Sequence, residues 1–169
     1  MNKRVVKALM KGYLTLRKLW DPLKEPLKVR DEYDRTSHEF QERINSFEYK
    51  ADPLQGLFDH TADPNKFFDD TRESGRDCDD FQRQWSWWGI YNGYESTEYV
   101  ICDPTSLKTA FGTMHVIGVL KSKKTGKYFL TNYRMYGPFD DEEVALDYMK
   151  YFNSYKEDRL WVKYREIKK

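Results

Sequence analysis

The run Met114-His115-Val116-Ile117-Gly118-Val119-Leu120 is the most apolar in the chain. The turn-forming stretch Ser122-Lys123-Lys124-Thr125-Gly126 separates it from a second run, Lys127-Tyr128-Phe129-Leu130-Thr131-Asn132. β-Branched and aromatic residues on both sides of a polar, Gly-containing turn specify a hairpin. A lone hairpin is not stable in water, so other elements must cover it. Strand-like sequence at 99–102 and 160–167 supplies partners. Two helical stretches flank them. One starts at Asp77 or Cys78 and runs to Trp88, where Gly89 should stop it. The other follows the Gly137-Pro138 break, with Asp140 as N-cap and Glu143 three residues on, and carries Val144, Leu146, Tyr148, Met149 and Phe152. A helix feeding a hairpin-connected, mostly antiparallel sheet is an α+β architecture.

A chain of 169 residues suits one compact domain. Only 39% of it is hydrophobic, yet 17% is aromatic, so the core must be built from few, large side chains. Phe81, Trp85 and Trp88 recur at helical spacing and belong to that core. Trp87, Tyr91 and Tyr94 fall on or past the helix end, where they either rim a substrate cleft or sit incidentally on the surface. The expected division is an N-terminal helical extension over residues 1–45, packed on a domain over 46–169.

Charge is segregated. Residues 1–30 carry nine basic and two acidic side chains, while residues 31–80 carry six basic and fifteen acidic. The formal total of +1 argues against a general nucleic-acid binder. Val5, Val6, Leu9, Met10, Tyr13, Leu16, Leu19 and Trp20 give the basic segment an amphipathic helix of about 16–18 residues, ended by Pro22 and Pro26. Such a helix either packs on its own domain or holds a membrane surface or protein partner through residues 1–20. No run approaches the about 18 apolar residues of a membrane span. Lys7, Lys11, Arg17 and Lys18 interrupt any leader core, which points to a cytoplasmic protein or one packaged in a phage particle.

The chemistry concentrates at Gly75-Arg76-Asp77-Cys78-Asp79-Asp80-Phe81. A cysteine in the first turn of a helix meets unpaired backbone N–H groups and the positive end of the dipole, which favour thiolate. Asp77, Asp79 and Asp80 oppose it unless they cap the helix and point outward. A nearby imidazole would decide the balance. His115 heads the apolar strand, where a satisfied core imidazole is the ordinary alternative. With a four-residue loop at 122–125, Lys121 faces Gly126 and His115 lies opposite Asn132, about 5 Å away. A five-residue loop would put Tyr133 there instead. Cys102 pairs with none of these groups in sequence, and two cysteines make no disulfide framework.

Gly-Arg-Asp-Cys-Asp-Asp-Phe at 75–81, Met-His-Val-Ile-Gly-Val at 114–119 and Tyr-Phe-Leu-Thr-Asn at 128–132 resemble the transglutaminase-like cysteine proteinases. The order Cys, His, Asn and the intervals of 37 and 17 residues suit that family. Arg76 is an insertion in its motif, and Asn132 stands where that family more often has Asp; Asn is the residue papain-like peptidases use. The resemblance implies a transglutaminase-like or papain-like core with Cys78 as nucleophile, His115 as base and Asn132 orienting the ring. It also implies an oxyanion site from the Cys78 N–H and a side-chain donor, for which Gln55 is the candidate; an ordinary loop glutamine is the alternative.

Other chemistries lack their residues. Thr125-Gly126-Lys127 misses the flanking glycine and hydroxyl of a phosphate loop, and no Gly-x-Ser-x-Gly elbow occurs. No metal is expected, since His60, Cys78, Cys102 and His115 include no close-spaced pair. The acidic string 69–80 lacks the glycine and terminal Glu of a calcium loop and is expected to be a solvated, helix-capping surface. The expectation is a cofactor-free cysteine hydrolase acting on a peptide or isopeptide. An acyltransferase, or an inactive phage or bacterial adaptor on the same fold, are the alternatives.

Overall fold

The structure, a computed structural model, describes residues 2–49, 63–69, 76–152 and 159–168. Helix α1 (Lys3–Trp20) is followed by a 3-10 segment (Leu27–Tyr33), α2 (Ser37–Asn45) and the short α3 (Pro64–Phe67). Helix α4 (Cys78–Tyr91) leads into β1 (Tyr94–Cys102), α5 (Leu107–Gly112), β2 (His115–Ser122), β3 (Tyr128–Asn132), β4 (Arg134–Phe139), α6 (Glu142–Asp147) and β5 (Leu160–Ile167). The strands form one antiparallel sheet in the order β4-β3-β2-β1-β5. The α+β expectation holds at this level.

Helix α4 lies against the middle of the sheet. Gly118 on β2 makes the close approach possible, because a Cβ there would sit 2.0 Å from Gln82 Nε2 and 2.7 Å from Thr131 Oγ1. Gly89 does the same from the helix side, where a Cβ would meet Leu120 Cδ2 at 2.7 Å. Gly89 therefore does not stop the helix, as its position in the sequence suggests. It serves helix–sheet contact, and the helix continues to Tyr91. The far end is tied down by Trp88 Nε1, which donates to the Arg35 carbonyl at 2.9 Å, and by Asn92 Nδ2, which donates to the Tyr33 carbonyl at 2.8 Å.

Aromatic packing fills the space between α4 and the N-terminal helices. Tyr33, Phe40, Ile44, Phe67, Phe81, Trp85 and Trp88 form one buried cluster, with Phe40 edge-on to Trp85 at 5.1 Å and Phe67 to Phe81 at 5.3 Å. Residues before position 46 are thus part of the core. Val6, Met10 and Leu14 of α1 join a second cluster with Val100, Val116, Val162 and Tyr164. Only one stripe of α1 is consumed this way. Val5, Leu9, Leu16, Leu19 and Trp20 remain 47–75% exposed. No helix among the described residues is long and apolar enough to cross a membrane.

The second half differs from expectation in three local respects. Gly137-Pro138 lies inside β4, an edge strand, where a missing N–H costs no ladder bond. Asp141, one residue past Asp140, caps α6, its carboxylate accepting from Val144 N at 2.8 Å. Helix α5, capped by Ser106, is an element the composition did not signal. Replacing Gly118 by Ala forces a methyl into the α4–β2 contact and should destabilise the fold by about 1–3 kcal/mol. Urea unfolding followed by tryptophan fluorescence measures it; an unchanged midpoint would contradict this packing.

Candidate functional site

Cys78 is the first residue of α4. Asp77 precedes it as N-cap, its Oδ1 accepting from Asp79 N at 3.3 Å, so the cysteine is held where the helix presents its unbonded N–H groups. The residue before the cap is anchored as well. Arg76 Nε donates to the Phe67 carbonyl at 2.8 Å, its Nη2 donates to the Asp69 carbonyl at 2.7 Å, and its guanidinium lies 4.2 Å over the Phe47 ring. Arg76 is thus a structural clamp on the approach to Cys78.

His115 opens β2 and Asn132 closes β3. Their side chains meet, with His115 Nε2 and Asn132 Oδ1 2.8 Å apart. The strand register differs from the sequence expectation, since Lys121 pairs with Tyr128 and Gly118 with Thr131. The slip is two residues, an even number, so the alternation of faces is kept and Asn132 stays within reach. Because a carboxamide oxygen only accepts, this bond places the proton on Nε2 and leaves Nδ1 as the basic nitrogen. Burial pulls the His115 pKa below its ordinary value, while the Asn132 bond and the Asp79 charge push it up; burial wins, and the net shift is downward.

Tyr133, which the sequence places opposite His115 only with a five-residue loop, adjoins the imidazole here as well. It turns the corner between β3 and β4 with a φ of 58°, a conformation non-glycine residues rarely adopt. The strained corner lays its ring 5.6 Å from His115 and 5.5 Å from Phe81 in the first turns of α4. On its other side Tyr133 packs edge-on to Tyr49 at 6.0 Å. Tyr49 is pushed up to about 12, by burial first and then by the charges of Cys78 and Asp77. Cys78 itself packs against the cluster that contains Val116, the neighbour of His115. Helix start, strand end and β3–β4 corner therefore border one neighbourhood.

The acids around Cys78 are not the solvated surface expected of them. Asp77, Asp79 and Asp80 are all buried, and Asp79 Oδ2 accepts from Arg17 Nη2 at 2.6 Å. Ligating atoms of Asp77, Cys78 and Asp79 fall within 4.8 Å of one another. With Asp77 engaged as a cap and Asp79 with an arginine, this is the chemistry of a helix start rather than of a cation cage.

Trp87, Tyr91 and Tyr94 do not rim this neighbourhood. Trp87 is buried, and all three pack at the C-terminal end of α4, Tyr91 against Tyr33 and Tyr94 against Trp88. At 1.5 Å per residue, Tyr91 is about 20 Å along the helix from Cys78. Gln55 and His60 lie outside the described residues. Cys102 is fully buried, and desolvation raises its thiol to about 11.

Comparison of the chain with protein-family models, with curated proteins and with solved structures gave no match.

Two outcomes follow from this geometry. Iodoacetamide at pH 7 should alkylate the half-buried Cys78 at least about tenfold faster than Cys102, read by peptide mass spectrometry, since only the thiolate reacts; equal rates would contradict the environments described. His115 should titrate below 6.5 by NMR, and Asn132→Ala should lower its midpoint further by removing the bond that raises it. Because the unfolded ring binds its proton more readily, the stability it contributes is complete above 6.5 and is lost as pH falls through the folded value.

Proposed function

We propose that the protein is a cysteine hydrolase of peptidase or amidase type, built on a transglutaminase-like core, with Cys78 as nucleophile, His115 as acid–base and Asn132 as the residue orienting the ring. The observation that carries this reading is the His115 Nε2 to Asn132 Oδ1 bond of 2.8 Å at a strand end that shares its neighbours with the first turn of α4. A thiol nucleophile needs an imidazole held by a polar partner and a cysteine at a positive helix terminus, and the His115–Asn132 bond and the place of Cys78 at the start of α4 support that reading.

In this mechanism Nδ1 of His115 takes the Cys78 proton, and the thiolate attacks the amide carbonyl of a peptide or isopeptide. The carbonyl π electrons move onto oxygen, and the Cys78 backbone N–H donates to the oxyanion. Collapse of that oxyanion breaks the C–N bond, and His115 delivers its proton to the departing amine. A thioester remains. Water then attacks it, His115 accepts a proton from the water, and Cys78 leaves as thiolate with release of the acid. An amine in place of water would make the same intermediate an acyl transfer. The peripheral partner of this chemistry is a peptide or protein, and no cofactor enters any step.

A second reading has its own observation. The exposed stripe Val5, Leu9, Leu16, Leu19 and Trp20 on the basic α1 favours a binding protein that keeps the fold and docks a membrane surface or protein through residues 1–20. The two readings separate by experiment. A mixed pool of peptides incubated in heavy-oxygen water should yield acids labelled with that oxygen, and a primary amine added to the pool should report any acyl transfer. Cys78→Ala should abolish either product, His115→Ala should lower it at least about 100-fold, and Asn132→Ala about tenfold. Absence of both products from the wild-type protein would overturn the hydrolase and acyltransferase readings and leave the binding one.

A further inference from the structure

We propose that Arg17, carried by the N-terminal helix, is the counter-charge of the Cys78 site and so a positioning residue without which the adjacent acid suppresses the thiolate. The inference rests on the hydrolase reading and extends it to the segment that the family resemblance does not cover. Cys78 stands between carboxylates. The cap Asp77 and, on α4, Asp79 and Asp80 are all buried, and a negative charge beside a thiol disfavours its ionised form. Among the described residues, His115 on β2, Tyr49, Tyr133 and the buried Arg76 also border this turn; burial pulls the His115 pKa down and pushes that of Tyr49 up. Among the described residues, Arg17 is bonded to the acid next to Cys78, its Nη2 to Asp79 Oδ2 distance being 2.6 Å with side chains only 7% and 3% exposed.

The same helix supplies the apolar side of the neighbourhood. Val6, Met10 and Leu14 belong to the cluster against which Cys78 packs, and Arg17 falls on the same face one turn on, with its guanidinium also 5.7 Å over the Tyr164 ring. Next to it Asp21 closes the helix, its carbonyl accepting from Arg165 Nη2 at 2.7 Å and its carboxylate lying 3.8 Å from Arg83. These contacts hold α1 against β5 and α4, so Arg17 is kept at Asp79 by the whole docked helix. The segment before position 46 is then part of the site's electrostatics.

An electrostatic role and a merely structural one make different predictions because the pair can be broken from either end. Asp79→Asn leaves the arginine charge beside Cys78 and should lower the pH midpoint of Cys78 alkylation by iodoacetamide by about one unit. Arg17→Gln leaves the carboxylate and should raise it by about the same amount. The double variant should return close to the wild-type midpoint, and Arg17→Lys should stay there. Shifts in the same direction for both single variants, or no shift in either, would overturn the proposal and leave Arg17 as a helix anchor. Near-ultraviolet circular dichroism checks each fold. Should Arg17→Gln fail to fold, Asp79→Asn with Arg17→Lys decides, and an unlowered midpoint in Asp79→Asn overturns the assignment. The midpoint can be read whatever the wild-type rate, so a wild-type Cys78 titrating like an ordinary thiol would count against the hydrolase reading without deciding the role of Arg17.

Discussion

Helix α4 is surrounded by protein on nearly every side, with twelve of its fourteen residues buried. A helix in that position cannot turn a polar face to water, so its charged and hydroxyl side chains are bonded inside the protein, although the indole N–H groups of Trp85 and Trp87 make no hydrogen bond among the described residues. Arg83 forks onto Glu98 of β1, with Nε to Oε1 at 2.9 Å and Nη2 to Oε2 at 3.2 Å, and Ser86 donates to the same carboxylate. Gln82 accepts from Thr131 of β3, and Gln84 accepts from Tyr33. Removing one partner of such a buried pair leaves the other desolvated and costs about 3–5 kcal/mol for an ion pair. These bonds fix the rotation of α4 about its axis as well as its depth, and that rotation determines where Cys78 points.

The N-terminal helices follow from the same constraint. The aromatic side of α4 needs covering that the sheet does not provide, and Tyr33, Phe40 and Ile44 provide it. The polar side of its first turn needs a cation, and α1 carries one to it. An aromatic-rich, hydrophobe-poor composition is understandable in this light. A few large rings bury much area each, and Tyr and Trp can still bond through their polar ends, as Trp88 does to the Arg35 carbonyl.

Much of the candidate site was legible in one dimension. Cysteine after an aspartate cap announces a helix N-terminus through local bonding alone, and strand alternation links His115 with Asn132 even though the register was read two residues away from the true one. Gly89 misled because glycine signals a helix end and a close contact equally well, and only the position of Leu120 tells them apart. Trp87, Tyr91 and Tyr94 misled because an aromatic residue past a helix end looks exposed until the covering segment is known. The burial of Asp79 had no local signature, since its partner is 62 residues earlier in the chain.

What the sequence determined by itself is whatever depends on neighbours within a few positions: the capped start of α4, the hairpin and the α+β class. These come from backbone bonding and side-chain alternation, whose range is one turn or one strand pair. Tertiary structure alone decided that a basic helix delivers Arg17 to Asp79, that Arg76 clamps the approach to Cys78, and that a strained Tyr133 joins the strand ends to the helix. Those outcomes depend on which distant surfaces come together when desolvated charges and large rings must all be satisfied in one core, and no local window of residues contains that information.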